Sequence, residues 1–464
     1  MEKDLRVRLS YQLPVDPLAI KSMADYDLAL CLSDTWFDYD DSRKAKANLI
    51  REWSFDEKNG FYKFLVNTSR KWSNGEKLTA AHLIWNIQRA YRLKTQYGLA
   101  IAALVDLNSI SSPNDEIIIL KTKDHKISES FFQRMGGQPM AVIHPDEVNP
   151  KTLELKSNNI SIGPYFISKV DPGGLELKVN AHYPKANNLA PSIIRIKPVT
   201  KDFQLSTFLN ENTWENIVQV NTFLSEETAQ LILKNKLPLW TRGHDRVSLL
   251  KPNNTKTLET SRRVLFALSE KMHSKKIEGL PLNVKKATSL QPLGYPLFDQ
   301  LPALKNQGKL PAQIKILITN SESSIEQKKL LTPIFKELDV IVNWDIKIKS
   351  DFVKLFYEDN KYDFVLFDFG VADPEPSTWI GIITTNSFIH LDKEDISNFQ
   401  KASHLSNIEK EVLGFKDLLR KSYEKGNYLP LFHFSTLSVG HKNLDFKNIR
   451  ELDETVNYYK VNIR

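Results

Sequence analysis

The side chains that could do chemistry are spread along this 464-residue sequence in spacings that fit no catalytic arrangement. Its ten histidines form no H-E-x-x-H pair and no Cys/His ligand spacing, and the chain holds neither a G-x-S-x-G elbow nor a G-x-x-x-x-G-K-[ST] phosphate loop. Cys31 is alone, so no intramolecular disulfide can form. It lies in the apolar run Leu28-Ala29-Leu30-Cys31-Leu32 with no cation nearby to favour a thiolate, which predicts a small buried side chain rather than a nucleophile. Asp25, Asp27, Asp34, Asp38, Asp40 and Asp41 lack the spacing and the turn glycine of a cation-binding loop, and read as helix-end and loop carboxylates. His433 and His441 beside the last strand read as structural. The expectation is a protein that is no enzyme and carries no cofactor and no metal.

One carboxylate stands out. Asp373, in Ala372-Asp373-Pro374-Glu375-Pro376, follows the strongly apolar stretch YDFVLFDF (362–369). A ligand ammonium group shut away from water needs such a partner, because an unpaired buried charge is very costly. Asp before Pro also caps turns, so both readings stay open at this point. Phe369 and Trp379 flank the turn and either wall a pocket or belong to the core.

The elements that must position this turn are legible as patterns. Leu5 to Leu9 alternates as a strand, and a helix is expected after Pro17. Phe61 to Val66 is a second strand, leading through the Asn74-Gly75 turn to a helix with Thr79 as N-cap and Leu83, Ile84, Ile87 and Tyr91 on one face. Strands are expected at 116–121 and around 141–143, and Asp171-Pro172-Gly173-Gly174 predicts a β-hairpin. Strand 314–318, a helix opened by a Ser324/Gln327 capping box and strand 342–348 make an α/β unit, with Pro333 arguing for a kink or an early end to its helix. A helix at 351–358 precedes the strand at 362–369. A helix from Ser406, boxed with Glu409, ends at Gly426, and a single closing strand is expected at 429–439.

Composition sets the outer limits. Hydrophobic residues at 41% and charged residues at 26% describe an ordered globular chain too long for one core, with about three units expected. The net charge of +7 is dispersed among 56 acidic residues, so no nucleic-acid partner is implied. No apolar run is long enough for a membrane span, and Met1-Glu2-Lys3-Asp4 lacks a signal-peptide core. Either the protein is cytosolic or a targeting segment has been removed.

Four landmarks, in order, resemble the extracytoplasmic family 5 solute-binding proteins, the oligopeptide-, dipeptide- and nickel-binding proteins of ABC importers. Trp72 to Leu83, WSNGEKLTAAHL, looks like the family's aromatic, turn glycine and Leu-Thr-Ala helix start. Leu49 to Val66, with Trp53 and Phe64, is similar to the stretch before it, and Ile162-Gly163-Pro164-Tyr165 resembles a Gly-Pro-Tyr hairpin entry. Tyr362 to Trp379 looks like the ligand-cleft segment. The resemblance implies an α/β, bilobed periplasmic-binding-protein-like fold (type II, three-domain cluster C-like), with mixed sheets and a hinge between the lobes.

It implies a discontinuous first-lobe domain (1–33, 159–250 and 430–464), an inserted domain (34–158) and a second-lobe domain (251–429). It further implies ligand binding by Asp373, Phe369 and Trp379, with Asp373 on a peptide's amino terminus. The expected setting is a monomer, periplasmic or anchored outside the membrane, passing a small molecule or short peptide to the permease of an ABC importer. Alternatives are a ligand sensor on the same fold and a carrier of nickel or a metal chelate. Three departures mark this chain. Phe367 stands where some peptide binders carry a basic residue, the usual Trp before it is missing, and the region from Ser261 to Ala287 is abbreviated.

Overall fold

The computed structural model describes residues 3–463 except 10, 21–22, 40–43, 185–189, 199–215, 221–223, 225, 242–245, 254–256, 275–279, 281–283, 288–303, 305–307, 357, 359–360, 371–393, 395, 398–407, 436 and 450–456. The chain opens with β1 (Asp4–Arg8), whose alternation buries Leu5 and Val7 on one face, and continues into α1 (Met23–Leu32). Cys31 is buried in that helix as expected.

An inserted unit follows. It comprises β2 (Phe37–Tyr39), β3 (Ala45–Ala47), β4 (Ile50–Asp56), β5 (Phe61–Val66), α2 (Ala80–Arg92), α3 (Gln96–Leu104), β6 (Val105–Asn114), β7 (Ile117–Thr122) and α4 (Glu129–Gly136). β4, β5, β7 and β6 make an antiparallel four-stranded sheet in that order, and its core gathers Trp36, Phe37, Tyr62, Phe64, Trp72 and Phe131. Thr79 caps α2 as expected, and His82 reaches back to its backbone N–H at 3.2 Å. The stretch 141–143 is no strand: Val142 makes one isolated bridge to Asp34.

The chain then returns to the sheet of β1. β8 (Tyr165–Asp171) and β9 (Gly174–Val179) form the expected hairpin, and β10 (Ile193–Lys197), β11 (Ile217–Val220), α5 (Glu226–Lys234) and β12 (Leu239–Thr241) follow. A second open sheet collects β13 (Arg246–Pro252), α6 (Leu258–Ser274), β14 (Val284–Lys286), β15 (Gln313–Thr319), α7 (Glu322–Glu337), β16 (Ile341–Lys347), α8 (Lys349–Phe356), β17 (Phe364–Gly370), α9 (Ile408–Glu424) and β18 (Leu429–Phe434). The chain ends with β19 (Leu437–Gly440), β20 (Leu444–Asp445) and β21 (Asn462–Ile463).

Strand order in the first sheet is β12-β19-β11-β1-β10-β9-β8, with β1 parallel to both β10 and β11. In the second it is β14-β18-β13-β17-β15-β16, with β15 parallel to β16 and β17 through helical connections. β17 is central and apolar: Phe364, Val365 and Leu366 are fully buried, each contributing roughly 1.5–3 kcal/mol by leaving water.

Several expectations change. The stretch 429–439 is two strands in two sheets: β18 pairs with β13, and β19 pairs with β11 and β12. Leu429–Phe434 and Arg246–Pro252 therefore pair in the second sheet, whereas the sequence division put residues 430–434 and 246–250 in the first lobe. α7 begins at Glu322 under Ser321, whose hydroxyl accepts from the Ser324 N–H, so Ser324 and Gln327 are not its capping box. The helix also runs through Pro333 to Glu337. Ser406 and the start of the cleft turn lie outside the described residues.

Candidate functional site: the facing edges of two sheets

The strand registers decide where a ligand can sit. In the first sheet, β1, β10 and β11 end at Arg8, Lys197 and Val220, and Leu437 of β19 and Thr241 of β12 lie on the same edge. In the second, β15 and β17 end at Thr319 and Gly370. Arg246 of β13 pairs with Gly370 and with Phe434 of β18, so these residues share one edge. The chain passes between the sheets twice, from Thr241 to Arg246 and from Phe434 to Leu437. Both passages join carboxyl edge to carboxyl edge. Open α/β sheets bind ligands outside the carboxyl ends of their strands, so the space between these two edges is the candidate site. Two short connections are also what a hinge requires, since a few residues absorb the dihedral change of closure.

Segments leaving the edges are held by buried polar contacts. After β1 the stretch Leu9–Ile20 is fastened to the inserted unit. The Asn158 side chain exchanges two hydrogen bonds with the Val15 backbone, at 2.7 and 3.0 Å. Arg89, almost wholly buried, holds both carboxylate oxygens of Asp16 and donates from Nε to the Leu153 carbonyl at 2.9 Å. Such a two-pronged pair fixes orientation as well as position.

On the other sheet Asp368, two residues before the end of β17, gathers three elements. Its carboxylate accepts from Ser248 Oγ of β13 at 2.9 Å, and from Ser323 Oγ and Gln327 Nε2 of α7 at 2.8 and 2.6 Å. All three donors belong to buried residues. This network sets the first turn of α7 and the end of β17, from which the cleft turn departs.

Of the anticipated site residues, Asp373 and Trp379 lie outside the described residues. The backbone of Phe369 belongs to β17, opposite Val247. Phe367 is buried, with its ring 5.1 Å from that of Phe356 and nearly perpendicular to it. A cation at that position would have to be buried, which accounts for an apolar residue there. Asp368 is the contribution that sequence reasoning missed. An acid interrupting an otherwise apolar strand was its one visible signal.

A separate cleft of about 720 Å³ lies at the opposite edge of the first sheet, where α1 ends and β8 begins. Its lining includes Asp34, Asn48, Arg70, Gln138, Tyr183 and Tyr459. Arg70 donates to Asp34 Oδ2 at 2.6 Å, to Asn48 Oδ1 at 3.0 Å and to the Ile162 carbonyl at 3.1 Å, and it lies 4.7 Å from the centre of the Tyr183 ring. Burial opposes the charge on Arg70, but Asp34 and then Tyr183 outweigh it and hold the guanidinium above its ordinary pKa. This cluster joins the inserted unit to the first sheet. Its position, away from both passages between the sheets, makes it a structural joint rather than the solute site.

Residues 44–264 match the model of bacterial extracellular solute-binding proteins, family 5 Middle. The whole chain superimposes on solved members of this fold: NikZ from Campylobacter jejuni in complex with Ni(L-His) (15% identity, TM-score 0.79, all of both chains covered), and a dipeptide-binding protein from a Pseudoalteromonas species in complex with Met-Leu (13%, 0.79, all of both chains). The murein tripeptide-binding protein MppA of Escherichia coli matches at 14% identity and a TM-score of 0.76, covering 100% of this chain and 98% of that one. No curated protein sequence matches. The chain thus has the bilobed α/β fold of the solved family 5 solute-binding proteins, and its residues 44–264 match that family's model, as the sequence landmarks led us to expect.

Proposed function

We propose that this chain captures a short peptide between the carboxyl edges of its two sheets and delivers it to the permease of an ABC importer outside the cytoplasm. The observation carrying this reading is the pair of facing edges joined by two short passages. It agrees with the family match and with relatives described as binding dipeptide and tripeptide ligands. Among the described residues no helix is long and apolar enough to cross a membrane.

The division we favour runs the first lobe through β12 and resumes it at β19, with residues 34–158 inserted and the second lobe spanning β13 to β18. Asp373 is three residues beyond the last residue of β17, on the segment that leaves the second sheet's carboxyl edge. Its carboxylate receives the peptide's ammonium group, and backbone groups of the segments leaving the edges pair with the peptide main chain irrespective of side chains. The chemistry is capture and release, with no bond made or broken. Calorimetry with a short peptide and its N-acetylated twin tests this reading. Acetylation removes the charge, and an affinity at least about thirtyfold weaker is expected, equivalent to roughly 2 kcal/mol. Equal binding of the two would reject the role of the ammonium.

A further inference from the structure

Away from these edges, in the inserted unit, two side chains six residues apart and a third from a distant turn converge. Glu76 follows the Asn74-Gly75 turn, where Gly75 at φ +89° takes the left-handed conformation that favours glycine. His82 lies in the first turn of α2, and His144 caps the short 3-10 turn Pro145–Glu147. The carboxylate spans the two rings: Oε1 is 3.2 Å from Nε2 of His82 and Oε2 is 3.1 Å from Nε2 of His144. The three ligating atoms lie within 4.8 Å of one another. Both imidazoles are buried and meet the fully buried ring of Trp72 edge to face, at 5.5 and 4.8 Å, while the Glu76 side chain is 47% exposed. The imidazoles are thus held by packing, and the cluster opens to solvent on its carboxylate side.

We propose that Glu76, His82 and His144 bind a divalent transition-metal cation, with Zn²⁺ the best match to the donor set. Two imidazole nitrogens and one carboxylate oxygen suit zinc, with water in a fourth position. Bonds of about 2.0–2.2 Å in a tetrahedron place ligand atoms about 3.4 Å apart; each histidine nitrogen is that near to one of the two Glu76 oxygens, so a small turn of the carboxylate would bring a single oxygen to both. One second-shell partner is in place: Nδ1 of His82 lies 3.0 Å from Thr79 Oγ1, whereas the exposed Asp146 carboxylate is 3.8 Å from Nδ1 of His144, beyond hydrogen-bond reach.

Without a cation, each Nδ1 accepts a backbone N–H, from Thr79 and from Asp146, and each Nε2–H donates to Glu76. Binding would turn the Nε2 lone pair of each ring to the metal and move its proton to Nδ1, so the Thr79 and Asp146 N–H groups would have to give up their bonds to Nδ1, with Thr79 Oγ1 placed to accept the His82 proton. The cation would then tie together the turn after Trp72, the start of α2 and the 144–147 turn, raising stability by mass action. The search for metal motifs overlooks this set because the residues meet only in the fold.

The test uses the full chain, stripped with EDTA, dialysed and titrated with ZnCl₂ by calorimetry, with metal content read by mass spectrometry. We expect one zinc per chain, bound at least about tenfold more weakly by Glu76→Gln and by His144→Gln, as loss of a ligand implies. Thermal melts separate binding from folding. Zinc should raise the melting temperature of the wild type but not of Glu76→Gln, which should melt like the wild type in EDTA. Absence of stoichiometric zinc, or uptake undiminished in Glu76→Gln, as zinc held at the solute site would give, overturns the assignment.

Discussion

Replacing Arg70 by Met should lower the free energy of unfolding by about 3–5 kcal/mol, the cost of removing one partner from a buried ion pair. Asp34 would keep its bonds from Asn48 Nδ2 at 2.6 Å and from the Thr35 N–H at 3.1 Å, but its charge would lose the cation that balances it. The Ile162 carbonyl would lose a donor, and Tyr183 the guanidinium lying over its ring. Met fills much of the same volume, so the effect reads charge and hydrogen bonding rather than a cavity. Urea denaturation followed by tryptophan fluorescence gives the number. A change below about 1 kcal/mol would mean that the joint behaves as an ordinary surface pair.

The second large effect falls on ligand affinity. Asp373→Asn keeps the size of the side chain and removes its charge, so a peptide ammonium closed in between the sheets would lose its counter-charge. We expect roughly a hundredfold loss of peptide affinity with unchanged stability. The discrimination between free and N-acetylated peptide should shrink in the same variant, because the group that senses the charge is gone. Unchanged affinity would remove Asp373 from the site while leaving the site between the two edges intact.

The sequence carries its architecture unevenly. The hairpin around Pro172-Gly173, the capped helix after Asn74-Gly75 and the apolar strand ending at Phe369 are readable because turn chemistry and side-chain period act locally. Residues 429–439 defeat the same reasoning. They are apolar on both sides of residue 435, so a periodicity argument sees one buried strand where the chain changes sheets. Which partner a strand takes is a long-range choice that local pattern does not encode.

The same limit hides Asp368, whose donors Ser248, Ser323 and Gln327 come from distant segments, and makes Gln327 resemble a cap. It also hides the convergence of Glu76 with His82 and His144. Phe367 is understood only once its ring is seen against Phe356. Asp373 and Trp379 lie beyond the described end of β17, so their part in the site rests on the family resemblance and on the edge from which their segment departs.

The central claim is that a small solute, and specifically a short peptide, is held one to one between the two sheets. Native mass spectrometry of the chain after incubation with a mixed library of di- to pentapeptides addresses it directly. The account predicts single adducts whose masses match library members with free amino termini. A spectrum containing only the unliganded chain across the whole library would contradict it.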